Sequence, residues 1–275
     1  MVPAVKVNNL TYAYQDGVKA LDNITFTVEK GSKVALMGHN GAGKSTLLLH
    51  FNGLFLPGGG TVKIFDTPVT PKTENSIRRQ VGMVFQDPDD QVFSSRVWDD
   101  VAFGPINMGL ESKEVERRVD QALRDVGMRD YADHTPSQLS YGQKKRVAIA
   151  GIIAMAPEII IFDEPMAFLD PEGQKKLLDT LDNFHQQGKT LIVATHDVDF
   201  AAAWADQLII LKQGTLFASG QPGLLADASL VSDARLGTPL VTRVFQDFVN
   251  SDRLPVTLSE ARELLVGLID KEGPF

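Results

Sequence analysis

Nine consecutive residues, Gly38-His39-Asn40-Gly41-Ala42-Gly43-Lys44-Ser45-Thr46, fit the pattern G-x-x-x-x-G-K-[ST] at Gly38, Gly43, Lys44 and Ser45. Their types suit phosphate. The glycines let the backbone curl so that successive N–H groups aim at phosphate oxygens. Lys44 offers a point charge to β- and γ-phosphates, and Ser45 a hydroxyl to Mg²⁺. The apolar run Val34-Ala35-Leu36-Met37 precedes the pattern and reads as a buried strand. Thr46-Leu47-Leu48-Leu49-His50-Phe51 follows and reads as a helix, whose positive end adds to an anion site. That strand–loop–helix setting separates the stretch from an ordinary glycine-rich turn.

Two further stretches carry chemistry. Ile159-Ile160-Ile161-Phe162 reads as a buried strand that delivers Asp163 and Glu164 to its carboxyl end, where ligands sit in open α/β sheets. Asp163 suits Mg²⁺ held through water, and Glu164 suits an attacking water that must be oriented or deprotonated. Between the two motifs, Leu139-Ser140-Tyr141-Gly142-Gln143 leads into the helical run Lys144 to Ala150. Ser140 and Gly142 at a helix start make a second anion site from hydroxyl, N–H groups and dipole. One chain thus carries two phosphate sites.

The elements that must hold these residues read as an α/β core. Ala4–Asn8, Leu10–Tyr14, Ile24–Val28 and Thr61–Phe65 are strand-like, and Val81–Phe85 is a strand leading to Gln86. Thr190–Ala194 is suited to a parallel sheet covered on both faces. Gln207–Leu211 and Thr215–Ala218, joined at Gln213-Gly214, read as a closing hairpin. Residues from about 87 to 138 differ in character. There Ser112 is expected to cap a helix with Val115, Val119, Ala122, Leu123 and Val126 on one face and Gly127 as its stop. With the following helix counted, an inserted helical subdomain spans about 87–156.

Gly220 to about Pro239 is rich in turn residues and reads as a linker. Thr238-Pro239 is expected to open a helix with Val241, Val244, Phe245, Phe248 and Val249 on its face. Thr257 and Glu260 form a capping box for a second helix facing Leu258, Ala261, Leu264, Leu265, Leu268 and Ile269. The expected division is therefore an α/β domain over 1–220 and a linker with helices over 221–275.

Composition narrows the partners. The 275 residues are 43% hydrophobic and 23% charged, as in a soluble globular protein. A net charge of −8 without a basic block argues against nucleic acid. The absence of cysteine excludes disulfides and thiolate metal sites. No signal peptide is expected, and the longest apolar stretch, Val147 to Ala156, is too short to span a bilayer. A cytoplasmic chain is expected, with any membrane contact made through a partner.

The order phosphate loop, Gln86, L-S-x-G-Q at 139–143, Asp163-Glu164, then His196 resembles the ABC-type ATPases over about residues 4–220. Tyr141 departs from the commonest family form, which has glycine there. The resemblance implies a phosphate-loop core with an antiparallel β subdomain, an inserted helical subdomain and a small helical extension. It implies ATP and Mg²⁺ as ligands. It also implies two domains facing head to tail, with ATP clamped between Gly38–Thr46 of one and Ser140, Gly142 and Gln143 of the other. On the same basis Glu164, His196 and Gln86 are catalytic, Ser45, Gln86 and Asp163 attend the metal, and Tyr14 stacks on adenine, with Tyr12 the rival. Leu169-Asp170 matches the loop that crosses the interface near Glu164. His39, inside the loop, is given no catalytic role.

Gln86-Asp87-Pro88-Asp89-Asp90-Gln91-Val92-Phe93-Ser94, Val101–Pro105, the run Leu139–Arg146 and Glu164–Asp170 look like the energy-coupling-factor importers. Within that group the chain resembles the CbiO-type ATPases of cobalt importers, with nickel and vitamin importers as alternatives. The resemblance implies a dimer, with a homodimer favoured because every catalytic element is intact. It also implies a transmembrane coupling subunit, a membrane substrate-binding subunit, and a place on the cytoplasmic face of the cell membrane. Asp87, Asp89 and Asp90 read either as contacts to basic residues of the coupling subunit or as a solvated loop. The terminal helices either hold the dimer together or pack on their own chain. Rival readings are an ATPase of DNA repair, which needs a larger insertion, a tandem translation factor, and a phosphate-loop kinase, which lacks residues 139–143.

Overall fold

The structure is a computed structural model, and it describes residues 2–247 and 254–272, without the side chains of 268–272. Phe248 and Val249, and the side chains of Leu268 and Ile269, lie outside the described residues.

The amino-terminal part builds strands β1 (Val5–Ala13), β2 (Lys19–Val28) and β3 (Lys33–Met37), then helix α1 (Lys44–Phe51). Strands β4 (Gly59–Ile64) and β5 (Thr67–Pro68), helix α2 (Glu74–Gln80) and strand β6 (Val81–Val84) follow. Three helices come next: α3 (Val97–Asn107), α4 (Ser112–Asp125) and α5 (Tyr141–Ala154). The chain then returns to alternation with β7 (Ile159–Asp163), α6 (Pro171–Gln186), β8 (Thr190–Thr195), α7 (Val198–Trp204), β9 (Gln207–Lys212) and β10 (Thr215–Gly220). It closes with α8 (Ala228–Asp233), α9 (Leu240–Phe245) and α10 (Leu258–Glu272).

Two sheets result. An antiparallel sheet has the order β2-β1-β4-β5, and a six-stranded sheet has the order β10-β9-β3-β8-β7-β6. Strands β9, β3, β8, β7 and β6 run parallel, and β10 closes the edge as an antiparallel hairpin. Both faces of the large sheet are covered, which is why its strands read as unbroken apolar runs rather than alternating ones. Alternate residues sort into two cores: Val34, Leu36, Ile161 and Ile192 face the antiparallel side. Ala35, Met37, Ile160, Phe162 and Val193 face the helices α3–α5 and α6.

The expected α/β core with an antiparallel sheet and inserted helices is what forms. Several local expectations need correction. Leu10–Tyr14 is not separate from Ala4–Asn8. One strand runs through a bulge at Asn9, whose φ is 47°. Ser112 is the first residue of α4 and not its cap. Glu111 occupies that position without a side-chain hydrogen bond. Val115, Val119, Ala122 and Leu123 are buried, and Gly127 at φ 65° ends the segment.

The stretch 220–239 is no free linker. Asp227 caps α8 by accepting from the N–H groups of Ser229 and Leu230. Leu225, Val231 and Ala234 are fully or almost fully buried against the main core. Thr238 does not cap the next helix: Pro239 is the cap residue, and the Asp199 carboxylate of α7 accepts from the Leu240 N–H at 2.8 Å. On α9 it is Thr242 that is buried, while Val244 is 59% exposed. The Thr242 hydroxyl donates to the Pro255 carbonyl at 2.7 Å, so a polar residue holds that helix. The Thr257 half of the expected capping box forms, its hydroxyl oxygen accepting from Glu260 N–H, while the Glu260 carboxylate accepts from Val256 N–H at 2.7 Å, one residue before the cap. Ala261 packs inward, and Leu258 is 74% exposed.

If 220–239 is part of the core, Leu225→Ala should reduce unfolding free energy by about 2–4 kcal/mol in a denaturant titration. A change within about 0.5 kcal/mol, the usual range for a surface substitution, would return the stretch to linker status.

Candidate functional site

Strand β3 ends at Met37 and the chain turns at once into the glycine-rich loop. Gly38, Gly41 and Gly43 have φ of 151°, 78° and 101°, a region that side chains with a Cβ avoid. At Gly38 the neighbours also forbid a side chain, since a Cβ there would meet the Leu211 carbonyl oxygen at 2.6 Å. The loop is fastened from outside by the β9–β10 turn. The Gly214 N–H donates to the Ala42 carbonyl at 3.0 Å, and the Gly214 carbonyl accepts from Asp22 N–H at 2.7 Å. Within the loop, Ala42 N–H donates to the His39 carbonyl at 3.0 Å, and His39 turns its Nδ1 onto the Asn40 carbonyl at 2.6 Å. Asn40 and Gly41 are exposed at the tip.

Lys44 opens α1 and is 7% exposed. Its ammonium donates to the Gly38 carbonyl at 2.8 Å and lies 3.7 Å from Glu164 Oε1. A desolvated ammonium closing the loop on itself is what a terminal phosphate would replace or join. Ser45 is exposed at the same helix start, close to the buried Asp163. Burial raises the Asp163 carboxyl above its ordinary value. The nearby Ser45 hydroxyl opposes this, Glu164 adds to it, and Lys44 opposes it. A hydroxyl and a carboxylate side by side are oxygen donors of the kind Mg²⁺ takes, so the residues present fit that ion.

Glu164 follows β7 with φ 45°, held by its N–H donating to the Ala194 carbonyl at 3.0 Å. This backbone turns its carboxylate toward Lys44 and His196. His196 Nδ1 donates to Glu164 Oε2 and Oε1 at 3.0 and 3.1 Å, from a side chain 69% exposed. A carboxylate only accepts, so Nδ1 carries the proton and Nε2 faces outward for another partner. Lys44, Glu164 and His196, far apart in sequence, therefore converge. Asp163 and Ser45 complete the group.

Thr46 is buried, and its hydroxyl pairs with the Tyr14 hydroxyl at 2.6 Å. Tyr14 belongs to an aromatic cluster with Tyr12, Phe55 and His50. Tyr12 is stacked on Phe55 at 5.1 Å and edge-on to His50 at 4.8 Å, whereas Tyr14 is 38% exposed. Of the two tyrosines, Tyr14 keeps a free ring surface beside the loop. His50 and Phe55 carried no signal of their own, because their grouping depends on α1 packing beside β1. Burial holds the His50 imidazole below its ordinary value, against the Nδ1 hydrogen bond to the Thr46 carbonyl at 2.7 Å.

Ser140 and Gln143 close a reciprocal cap. The Ser140 Oγ accepts from Gln143 N–H at 3.3 Å, and the Gln143 Oε1 accepts from Ser140 N–H at 2.8 Å. The Ser140 hydroxyl proton stays available, as do donors at the start of the 14-residue α5, which includes Gly142. Among the described residues no hydrogen bond or ion pair joins this end to Gly38–Thr46. A cavity of about 1010 Å³ lies against it, lined by Ser140–Gln143, Lys145, Phe168, Asp170 and Lys176, and no phosphate-loop residue borders it. The two anion sites of one chain thus stand apart.

Gln86 is exposed just beyond β6. Asp87 caps the following turn by accepting from Asp89 N–H at 2.9 Å, and Asp89 pairs with Lys144 at 2.6 Å. Two of the three acidic residues therefore already have partners inside the chain. Lys145 was not foreseen. It is 2% exposed, its ammonium lacks a hydrogen bond, and burial lowers it to about 8, against the pull of Asp87 and Glu164.

A profile of the ABC transporter family matches residues 21–167. The chain is 48% identical to the energy-coupling factor transporter ATP-binding protein EcfA of Carboxydothermus hydrogenoformans, over 95% of this chain and 97% of that protein. It is 42% identical to EcfA of Methanocaldococcus jannaschii over 98% and 99%. Among solved structures, cbiO1 of Clostridium perfringens, described as part of the ABC transporter complex cbiONQ, matches with TM-score 0.76 and 38% identity. That match covers 90% of this chain and 100% of that one. An ATP-binding cassette solved as a dimer in a post-hydrolysis state with ADP and Pi matches with TM-score 0.72 and 31% identity, over 79% and 98%.

Lys44→Ala removes the ammonium that closes the loop, and should weaken ATP binding by about tenfold or more in a calorimetric titration, as expected for a charge-assisted contact. An unaltered affinity would show that the loop does not hold the phosphates.

Proposed function

This chain belongs to the ABC transporter ATPases, and on that premise we propose that it powers an importer by closing on a second copy of itself around ATP. It is the ATP-hydrolysing subunit of an energy-coupling factor transporter, and it takes ATP with Mg²⁺. The observation that carries the mechanism is the convergence of Lys44, Glu164 and His196 at one end of the sheet.

In the proposed cycle the loop amides of Gly38–Thr46 and Lys44 bind the phosphates, and Tyr14 supports the base. Ser45, Asp163 and Gln86 would hold Mg²⁺, which would supply positive charge to neutralise the phosphates. Arrival of the phosphates draws Lys44 from Glu164. Glu164 then orients an attacking water and accepts its proton, and His196 stands beside it to contact the γ-phosphate and hold the geometry. Ser140, Gly142 and Gln143 of the second chain bind the same phosphates from the opposite side. The separation of the two anion sites within one chain, and the dimeric cassette among the similar structures, support this arrangement.

The proposed division is an ATPase domain over 1–220, with the helical part at about 87–156, and a terminal part over 221–275 that steadies the dimer. Leu240, Val244, Leu258 and Val266 are each more than half exposed, which suits a surface that a second copy would cover. The proposed membrane partners are a transmembrane coupling subunit and a substrate-binding subunit, which hold this chain at the cytoplasmic face. Phe93 and Phe103 meet edge-on at 5.0 Å, and with Ile106 they are exposed apolar residues on the segment that follows Gln86, suited to a helix of the coupling subunit. Cobalt is the proposed cargo, supported by the likeness to cbiO1, with nickel or a vitamin as alternatives. The cargo would bind the membrane partner, since the described residues hold no cluster of metal-ligating side chains.

Glu164→Gln should abolish turnover, keep ATP binding, and leave an ATP-bound dimer in sedimentation. Hydrolysis at the unaltered rate would remove Glu164 from the chemistry. Deleting residues from 238 onward should weaken dimerisation, and a sedimentation profile matching the full chain would assign the terminal helices to packing within one chain.

A further inference from the structure

Tyr141 stands in L-S-x-G-Q where the commonest family form has glycine, and its side chain is engaged on three sides. Its hydroxyl donates to the Gln86 carbonyl at 3.0 Å across 55 positions of sequence. Its ring meets Phe168 edge-on at 5.6 Å, on the loop that follows Glu164. The buried Lys145 ammonium lies 5.7 Å from its ring centroid. One turn further along α5, Lys144 pairs with Asp89 at 2.6 Å. Glycine could make none of the Tyr141 contacts. The first turn of α5 is thereby fixed to the segment that begins at Gln86, by one bond to its backbone and one to its third following residue.

That joint has a consequence for a dimer with split sites. Gln86 serves the ATP held by its own chain's loop, while Ser140 and Gly142 serve the ATP held by the other chain. We propose that Tyr141 is a positioning residue that makes these two groups move as one unit, so that occupation of one ATP site adjusts Gln86 in the other. Engagement of phosphate by the Ser140 end shifts the first turn of α5. The Tyr141 hydroxyl carries the Gln86 backbone with it, and the edge contact with Phe168 passes the same shift to the loop behind Glu164. A bond to a backbone carbonyl suits this role, because it moves the Gln86 main chain and leaves its amide side chain free for metal and water. The coupling has a physical carrier, since both groups belong to one hydrogen-bonded element that both sites bias.

The inference rests on the role given to Gln86 above, and the test separates the two. Steady-state ATP hydrolysis by the full chain is measured against ATP concentration for wild type, Tyr141→Phe, Tyr141→Gly and Gln86→Ala, with thermal unfolding of each. Tyr141→Phe removes only the hydroxyl. It should lower kcat about three- to tenfold, the worth of one neutral hydrogen bond, with the ATP concentration at half-maximal rate and Tm unchanged. Wild type should show a sigmoid ATP dependence that flattens toward a hyperbola in Tyr141→Phe, and Tyr141→Gly should go at least as far. A purely structural role would shift Tm and spare the shape of the curve. A wild-type kcat in Tyr141→Phe alongside an impaired Gln86→Ala overturns this inference alone. A fully active Gln86→Ala overturns the role of Gln86 and this inference together. A wild-type curve that is already hyperbolic overturns the coupling.

Discussion

Everything in the site depends on one register, that of β8 between β3 and β7. Met37 pairs with Thr195 on one side of β8, and Asp163 pairs with Ala194 on the other. Three neighbouring strands therefore end within about one residue of each other, and the chain leaves them as Gly38, Glu164 and His196. Shifting any strand by one residue would exchange its inward and outward faces. Val34 and Leu36 would trade cores with Ala35 and Met37, so the packing that stabilises the sheet also fixes where the chemistry stands. The loop glycines then do locally what the register cannot, and Gly214 ties the loop to the antiparallel sheet through Ala42 and Asp22.

Once the strand ends are set, charge arranges the rest. Lys44 is desolvated and lies between a carbonyl and the Glu164 carboxylate. Glu164 is aimed by a left-handed backbone and by His196. Asp163 is held above its ordinary value chiefly by burial, so a cation placed beside it would favour its anion. Mg²⁺ with a polyphosphate supplies both missing partners, a cation for Asp163 and oxyanions for Lys44 and the loop amides. The site is complementary to that pair.

The residues proposed for the chemistry are legible because their signals are local. Gly38–Thr46, Asp163-Glu164 and the Ser140 cap each occupy a few consecutive positions whose types fix backbone shape and charge. What escaped was carried by contacts distant in sequence. The hydroxyl of Tyr141 finds a carbonyl 55 positions away, and the Asp199 carboxylate of α7 supplies the cap for which Thr238 stood in the right local place. The stretch 220–239 was misjudged for a related reason. Its turn-forming composition hides Leu225, Val231 and Ala234, spaced for no single helix face yet all buried on the core. Thr242 shows the reverse, a polar residue that anchors α9 where Val244 was expected to. Lys145 reads as one basic residue in a basic run, and only packing shows that it alone is buried.

The central claim is that one ATP site takes its loop from one chain and its Ser140 end from another. Two inactive variants test it directly when mixed. Lys44→Ala lacks the loop ammonium, and Ser140→Arg blocks the opposite anion site. Each homodimer should be inactive. In the mixed dimer, however, one site combines the intact Lys44 of the second variant with the intact Ser140 of the first. The account predicts that ATP hydrolysis reappears on mixing. If the mixture stays as inactive as its components although mixed dimers form, each chain builds its own site and the account is wrong.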